Sequence, residues 1–362
     1  MTDQKPVRVG FVGAGWSERV QIPIFRLAGL IPQAICASRP ENSRRAAEAA
    51  GVPEAYATWQ ELVAAPSVDL VSVVTPPHLH REIAAAALAA GKHVICEKPT
   101  ALNVAEAEAM LAAAQAAPNQ LAIIDHELRY HPQFVVLRQM VKDGLIGSIL
   151  RLDIAAHRNS RLDPEIPWNW LSDAQQGGGM LGALGSHLFD LTRWIAGKID
   201  SLTAMLQTGH YYRTDPATGQ RREVTADDHV QILLRFANGA QGSITVSGLT
   251  PGPAQNQLTV LGTRGALRLD SQWQLWSIQG ERLGENRWQR VETGFPAMVP
   301  STIEGSQPFH VGTYFLGRAL AETLDAGETV MPEAASFYDG LAVQRALDAA
   351  RQSQQEQRWV TV

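Results

Sequence analysis

Over the first third of the chain, apolar residues come in short unbroken runs. The stretches between them repeat at helical spacing, which is the pattern of a parallel sheet covered on both faces. Strands are expected at residues 7–12, 34–37, 70–74, 93–96 and 121–124. Helices are expected from Trp16 towards Ala28, with Pro23 starting or kinking the segment, and from an Asn42 N-cap to Ala50. An alanine-rich helix should end near Ala90-Gly91, and another should begin near Asn103, while Thr75-Pro76-Pro77 stops the strand before it.

Past residue 126 the periodicity changes. A helix is expected over 132–142, a strand over 149–156, a loop carrying Trp168 and Trp170, and a helix over 180–195. From 201 to 291 strands dominate: 230–236, the turn Asn238-Gly239, 240–247, 258–261, 266–269 and 273–278. Helices over 310–326 and 336–350 close the chain. The expectation is an α/β protein of two domains, 1–125 and 126–362. The second is an α+β domain on a large, mostly antiparallel sheet, and the last helix is free to return to the first. A wide sheet with one uncovered face calls for a partner, so a homodimer or homotetramer through that sheet is expected.

Composition narrows the function classes. The 362 residues are 45% hydrophobic and 19% charged with a net charge of -5, an ordinary globular balance with no basic footprint for nucleic acid or an anionic membrane. The opening residues lack a secretion signal and no apolar run reaches membrane-spanning length, so a cytoplasmic protein is expected. Cys36 and Cys96 fall in expected strands and read as structural thiols, and no metal-ligand spacing appears.

Two motifs carry chemistry. Gly13-Ala14-Gly15 follows the first strand and Trp16 opens the next helix, so the turn can cradle a pyrophosphate against a helix amino end. The third fingerprint position is Glu18. At the end of the second strand stands Ser38-Arg39 where an NAD-specific fold places a carboxylate. With Arg44 or Arg45 nearby this suits a 2′-phosphate, so NADP(H) is the expected cofactor and NAD(H) the alternative. Thr75, Pro76, Pro77 and His80 should line the same crevice, with His80 equally placed to cap the following helix.

The second motif is Glu97-Lys98-Pro99, which ends a later strand of the sheet. A lysine there can stabilise an alkoxide as hydride leaves the neighbouring carbon, with Glu97 orienting it or contacting a ribose. Gly177-Gly178-Gly179 precedes a helix bearing His187 and Asp190, and His187 suits proton transfer at neutral pH, although without the first domain's motifs an interior histidine beside a capping or salt-bridging aspartate is the favoured reading. His126, His157, Arg158, Trp168 and Trp170 are candidates for the substrate pocket. Arg129 is expected to tie the two domains together, and Asp228 to hold a loop against the sheet.

The chain resembles the glucose-fructose oxidoreductase, inositol dehydrogenase and MocA family. The resemblance rests on the stretch from Val9 to Gly15, Cys96-Glu97-Lys98-Pro99, Leu128-Arg129-Tyr130-His131-Pro132, Gly144-Leu145-Ile146-Gly147, and the triple glycine leading to His187 and Asp190. It implies a Rossmann dinucleotide-binding domain over 1–125, with Lys98 as catalytic lysine and His187 as general acid/base. It also implies hydride transfer between nicotinamide and an alcohol or ketone carbon of a sugar, sugar derivative or cyclitol. The aspartate that the family usually carries four residues before the histidine is Ala183 here, leaving Asp153, Asp163 and Asp173 as possible substitutes. Glu18 and Ala183 motivate a rival reading, a nucleotide-binding sensor or structural protein without turnover. The tryptophan-rich loop motivates another, reduction of a cyclic non-sugar ketone.

Overall fold

The computed structural model describes residues 6–280, 284, 287–293, 299–303 and 308–362. The chain divides into two compact units, Met1–His131 with Val299–Leu341, and Pro132–Met298 with Ala342–Val362.

In the first unit the apolar runs form β1 (Arg8–Val12), β2 (Ile31–Cys36), β3 (Glu54–Tyr56), β4 (Leu70–Val73), β5 (His93–Cys96) and β6 (Ala122–Ile124). They lie in the order β6-β5-β4-β1-β2-β3, all parallel. The short strand Ala335–Ser336 adds antiparallel to β6. β4 is buried at every position, as a sheet covered on both faces requires. α1 (Ile22–Leu27), α2 (Pro40–Ala50), α3 (Trp59–Ala64), α4 (His80–Ala89) and α5 (Val104–Ala116) alternate with the strands.

Local details depart from the expected pattern. A widened turn over Ser17–Gln21, in which the Ile22 N–H reaches the Ser17 carbonyl, precedes α1 and leaves Pro23 at its second position. α2 starts at Pro40 with Arg39 as N-cap rather than at Asn42, because proline is pre-shaped for the first helical residue. β3 and α3 were not anticipated. They are three and six residues long, and only the reciprocal Thr58–Glu61 capping box marks them in the sequence. Asn103 does cap α5, accepting from the Glu106 N–H.

The second unit holds α6 (Pro132–Lys142), β7 (Ile149–His157), α7 (Ser186–Ala196), β8 (Ile199–Gln207), the small hairpin β9 (Tyr212–Thr214) and β10 (Arg221–Glu223), β11 (His229–Phe236), β12 (Gln241–Ser247), β13 (Gln255–Gly262), β14 (Gly265–Leu269), β15 (Leu275–Gln279) and β16 (Gln289–Arg290). The large sheet runs β16-β15-β14-β13-β7-β12-β11-β8 and ends on Val360–Thr361. It is antiparallel except where β7 meets β12. On β11, Val230, Ile232, Leu234 and Phe236 are buried while Gln231, Leu233 and Arg235 are exposed, so one face is core and the other is open.

A single cut at 125/126 does not describe this chain. Residues 126–131 and α8 (Pro308–Asp325) belong to the first unit, where α8 packs on α1 with Gly317 against Phe25 and Ala28. The last helix, α9 (Phe337–Glu356), gives only its opening residues to the first unit. Its later turns serve the second, the Ser353 hydroxyl accepting from the Ala204 N–H at 3.0 Å.

Candidate functional site

The nucleotide turn is built as its sequence requires. Gly13 has φ +111°, and a Cβ there would collide with the Val74 carbonyl of the neighbouring strand end, so only glycine fits. The Ser17 hydroxyl donates to the Gly13 carbonyl, and the Gly13 N–H donates to Cys36 at 2.7 Å. Gly15 is exposed, and open space lies where its side chain would be. A cradle closed behind Gly13 and open before Gly15, at a helix start, suits a pyrophosphate. Glu18 receives Arg45 of α2 through two hydrogen bonds of 3.2 and 3.1 Å, which accounts for a carboxylate at the third fingerprint position.

Ser38, Arg39 and Arg44 are exposed beyond β2, and neither Arg39 nor Arg44 forms an ion pair among the described residues. Trp16 turns towards α8, its ring 6.1 Å from that of His310. Thr75, Pro76 and Pro77 follow β4, and Pro77 is buried. His80 is fully buried, with Nε2 2.8 Å from the Thr75 carbonyl and Nδ1 3.0 Å from that of Pro99. Burial pushes its pKa down to about 4. The neutral ring stands between the β4 loop and the Pro99 turn, with a backbone carbonyl facing each ring nitrogen.

At the ends of β5 and β6 lies a buried polar cluster. The Ser72 hydroxyl donates to the Gln21 carboxamide oxygen at 2.7 Å, which turns the Gln21 NH2 towards two carboxyls, Asp125 Oδ2 at 2.8 Å and Glu97 Oε1 at 3.2 Å. Lys98 Nζ stands 3.8 Å from Glu97 Oε2, and the Lys98–Pro99 peptide is cis. Burial raises the Glu97 pKa against the pull of Lys98. It raises Asp125 well above the carboxylate range, with the Glu97 charge adding to it. Glu127 is raised by burial and then by Asp125 and Glu97.

Glu97 and Lys98 were anticipated; Gln21, Ser72, Asp125 and Glu127 were not. The signal was available, because Cys96 pairs with Ile124 and so Glu97 and Asp125 leave neighbouring strands at the same level. His126 is buried beside this cluster, at the entry to the turn Glu127–Tyr130. Arg129 bonds to Asp339 at 3.3 Å and to the Ala334 carbonyl at 3.4 Å. Both partners lie in the same unit as Arg129, so these bonds tie the chain's return segment to the turn after β6.

In the second unit the triple glycine is a packing device. A Cβ on Gly178 would stand 2.6 Å from the Trp170 carbonyl oxygen, and Gly179, at φ +103°, lies against the Asp227 carboxylate. Asp227 Oδ2 accepts the Leu181 N–H at 2.7 Å and its carbonyl accepts that of Met180, so Asp227 caps the helical start that leads to His187. A widened turn over Leu181–Gly185 contains Ala183 and runs into α7, where His187 and Asp190 are both buried.

Around them, buried arginines fix the tryptophan loop. Arg161 Nε meets Asp228 Oδ1 at 3.0 Å, and Arg213 donates to the carbonyls of Arg161, Asp163 and Ile166. Breaking a buried pair of this kind costs about 3–5 kcal/mol, so the loop is held firmly. The expected loop-holding role of Asp228 takes this form.

Trp168 is stacked under Arg222 at 3.4 Å and donates to the Glu223 carbonyl, while Trp170 lies in the turn against Gly178. Arg158 is spent on the carbonyls of His157 and Gln255 and on Asn256 Oδ1, and His157 Nδ1 lies 3.3 Å from the Thr250 hydroxyl. Asp153 holds Ser243 and Arg151, Asp163 caps its own turn at Glu165, and Asp173 holds Gln175 and Gln176, so each has local work.

Comparison with known proteins agrees with this architecture. Residues 7–124 match the oxidoreductase family with an NAD-binding Rossmann fold, and residues 134–268 match the GFO/IDH/MocA C-terminal domain. An uncharacterised oxidoreductase of Synechocystis sp. is 30% identical over 100% of this chain and 98% of its own. Levoglucosan dehydrogenase of Pseudarthrobacter phenanthrenivorans is 28% identical over 98% of each chain. A structure of levoglucosan dehydrogenase in complex with NADH and L-sorbose matches with a TM-score of 0.89 at 26% identity, covering 98% of both chains. The chain belongs to the GFO/IDH/MocA family of oxidoreductases, with an NAD-binding Rossmann fold followed by a large, mostly antiparallel sheet.

Proposed function

We propose that this protein is an NAD(P)-dependent dehydrogenase of a sugar, sugar derivative or cyclitol, with Lys98 as the catalytic lysine. The observation that carries the reading is Lys98 at the carboxyl end of β5, its ammonium 3.8 Å from a buried carboxylate, in the same sheet as the Gly13 turn. When bound, the nicotinamide exchanges a hydride with the substrate carbon. Lys98 donates a hydrogen bond to the substrate oxygen and stabilises the charge that develops on it. His187 accepts the hydroxyl proton in oxidation and returns it in reduction. Gly13, Ala14 and Gly15 hold the pyrophosphate. Glu97 orients Lys98.

The exposed Ser38, Arg39 and Arg44 beyond β2 favour NADP(H) over NAD(H), since an unpaired guanidinium there meets a 2′-phosphate. His126, His157, Arg158, Trp168 and Trp170 are the residues proposed to contact the substrate. The open sheet face of the second unit pairs two copies. The levoglucosan dehydrogenase relatives support a carbohydrate substrate.

The test is NADPH and NADH oxidation against ketoses, dehydrosugars and cyclic ketones, with wild type and Lys98→Met. Turnover on a dehydrosugar or ketose is expected, falling about 100-fold or more in the variant while nucleotide still binds. Nucleotide binding without turnover across the panel would replace this reading with that of a sensor.

A further inference from the structure

The buried cluster behind Lys98 poses a charge problem. Glu97, Asp125 and Glu127 are each no more than 8% exposed, and Lys98 is a cation that acts on all three. An ionised carboxylate away from water needs donors on both oxygens or a cation beside it, otherwise its burial costs several kcal/mol. Glu97 has both kinds of support, the Gln21 amide on Oε1 and Lys98 beside Oε2. Asp125 does not: Oδ2 receives Gln21, but Oδ1 is buried with no donor among the described residues. The Gln21 NH2 already serves Asp125 Oδ2 and Glu97 Oε1, and Ser72 faces the amide oxygen on its other side.

We propose that Asp125 is a carboxylic acid at neutral pH and shares its proton with Glu97, so that the pair presents one negative charge to Lys98. Asp125 and Gln21 are then positioning residues. They act through Glu97 on the lysine, and this role rests on the reading of Lys98 as catalytic. Gln21 Nε2 holds one oxygen of each carboxyl, Asp125 Oδ2 at 2.8 Å and Glu97 Oε1 at 3.2 Å, so the two groups lie side by side, and the Glu97 charge adds to burial in raising Asp125. Among the described residues the ionisable groups facing Asp125 are Glu97, Glu127, Lys98 and the Cys96 thiol, which burial keeps protonated. Both carboxylates favour the proton on Asp125, and the lysine opposes it.

Asparagine reproduces the shape and donor of a neutral aspartic acid, whereas alanine removes both. Three forms are therefore compared: wild type, Asp125→Asn and Asp125→Ala. A difference infrared spectrum of wild type against Asp125→Asn at neutral pH should show the carbonyl stretch of a protonated carboxylic acid in wild type that the variant lacks. Asp125→Ala should lower kcat about tenfold or more with cofactor affinity retained, and Asp125→Asn should restore it to within about fivefold of wild type. An absent band, or Asp125→Asn as impaired as Asp125→Ala, overturns the proposal. The infrared comparison needs no turnover, so it decides the protonation state even if the alanine variant does not fold or the dehydrogenase reading fails.

Discussion

Arg39 and Lys98 show how a single side chain takes its meaning from the strand end on which it stands. Arg39 caps α2 with its backbone and leaves its guanidinium in water, so its charge is free for a ligand. A charge-assisted bond to a 2′-phosphate is worth about 1.5–3 kcal/mol, so Arg39→Ala should weaken NADPH binding about 10- to 100-fold and leave NADH binding unchanged. An unaltered affinity ratio in fluorescence titration would remove the phosphate clamp. Gly13, Gly15 and Lys98 were legible because each sits in a motif next to an apolar run. Gln21 and Asp125 were not, since they meet only after a widened helical turn and two strand ends have been placed in register. The backbone carbonyls that face His80 and Arg158 were not legible either, since sequence does not show which main-chain groups a side chain meets.

The turn that introduces the His187 helix depends on one buried carboxylate. Asp227 is lifted to about 6 by burial, against the backbone donor that it accepts from Leu181. Its folded pKa lies above the unfolded value, so the folded state binds more protons between about pH 4 and pH 6. The stabilisation from this proton is complete below about pH 4 and is lost as pH rises through about 6. Asp227→Asn keeps the cap and has no proton to lose. Across that window, wild type should therefore lose about 3 kcal/mol relative to the variant in urea unfolding. Parallel stability profiles for the two proteins would contradict the assignment. Long periodic elements such as α6 and β11 were readable from pattern alone. β3, α3 and the β9–β10 hairpin were too short to carry a period, and tertiary pairing determines them.

On the scale of the whole chain, the two units share one covalent logic. α8 leaves the second unit's sequence to complete the first, so a cut based on a change of periodicity misses it. The open face of the large sheet carries Met205 and Leu233, 65% and 55% exposed, among polar neighbours. If this face joins two copies, Leu233→Lys should shift sedimentation from dimer or tetramer to monomer without changing nucleotide affinity, and an unchanged mass would exclude it as the interface. The family, the fold order and the nucleotide turn were readable in advance, whereas the route of the chain between units was not. Hydride transfer from a polyol carbon to nicotinamide, assisted by Lys98, is the reaction proposed for this protein. It is tested most directly by supplying a sugar alcohol deuterated at the reacting carbon and following the nicotinamide C4 position by NMR. Deuterium should arrive at C4 with wild type and not with Lys98→Met, although both bind nucleotide. Equal transfer by the variant, or none by nucleotide-bound wild type across the sugar and cyclitol panel, would contradict the account.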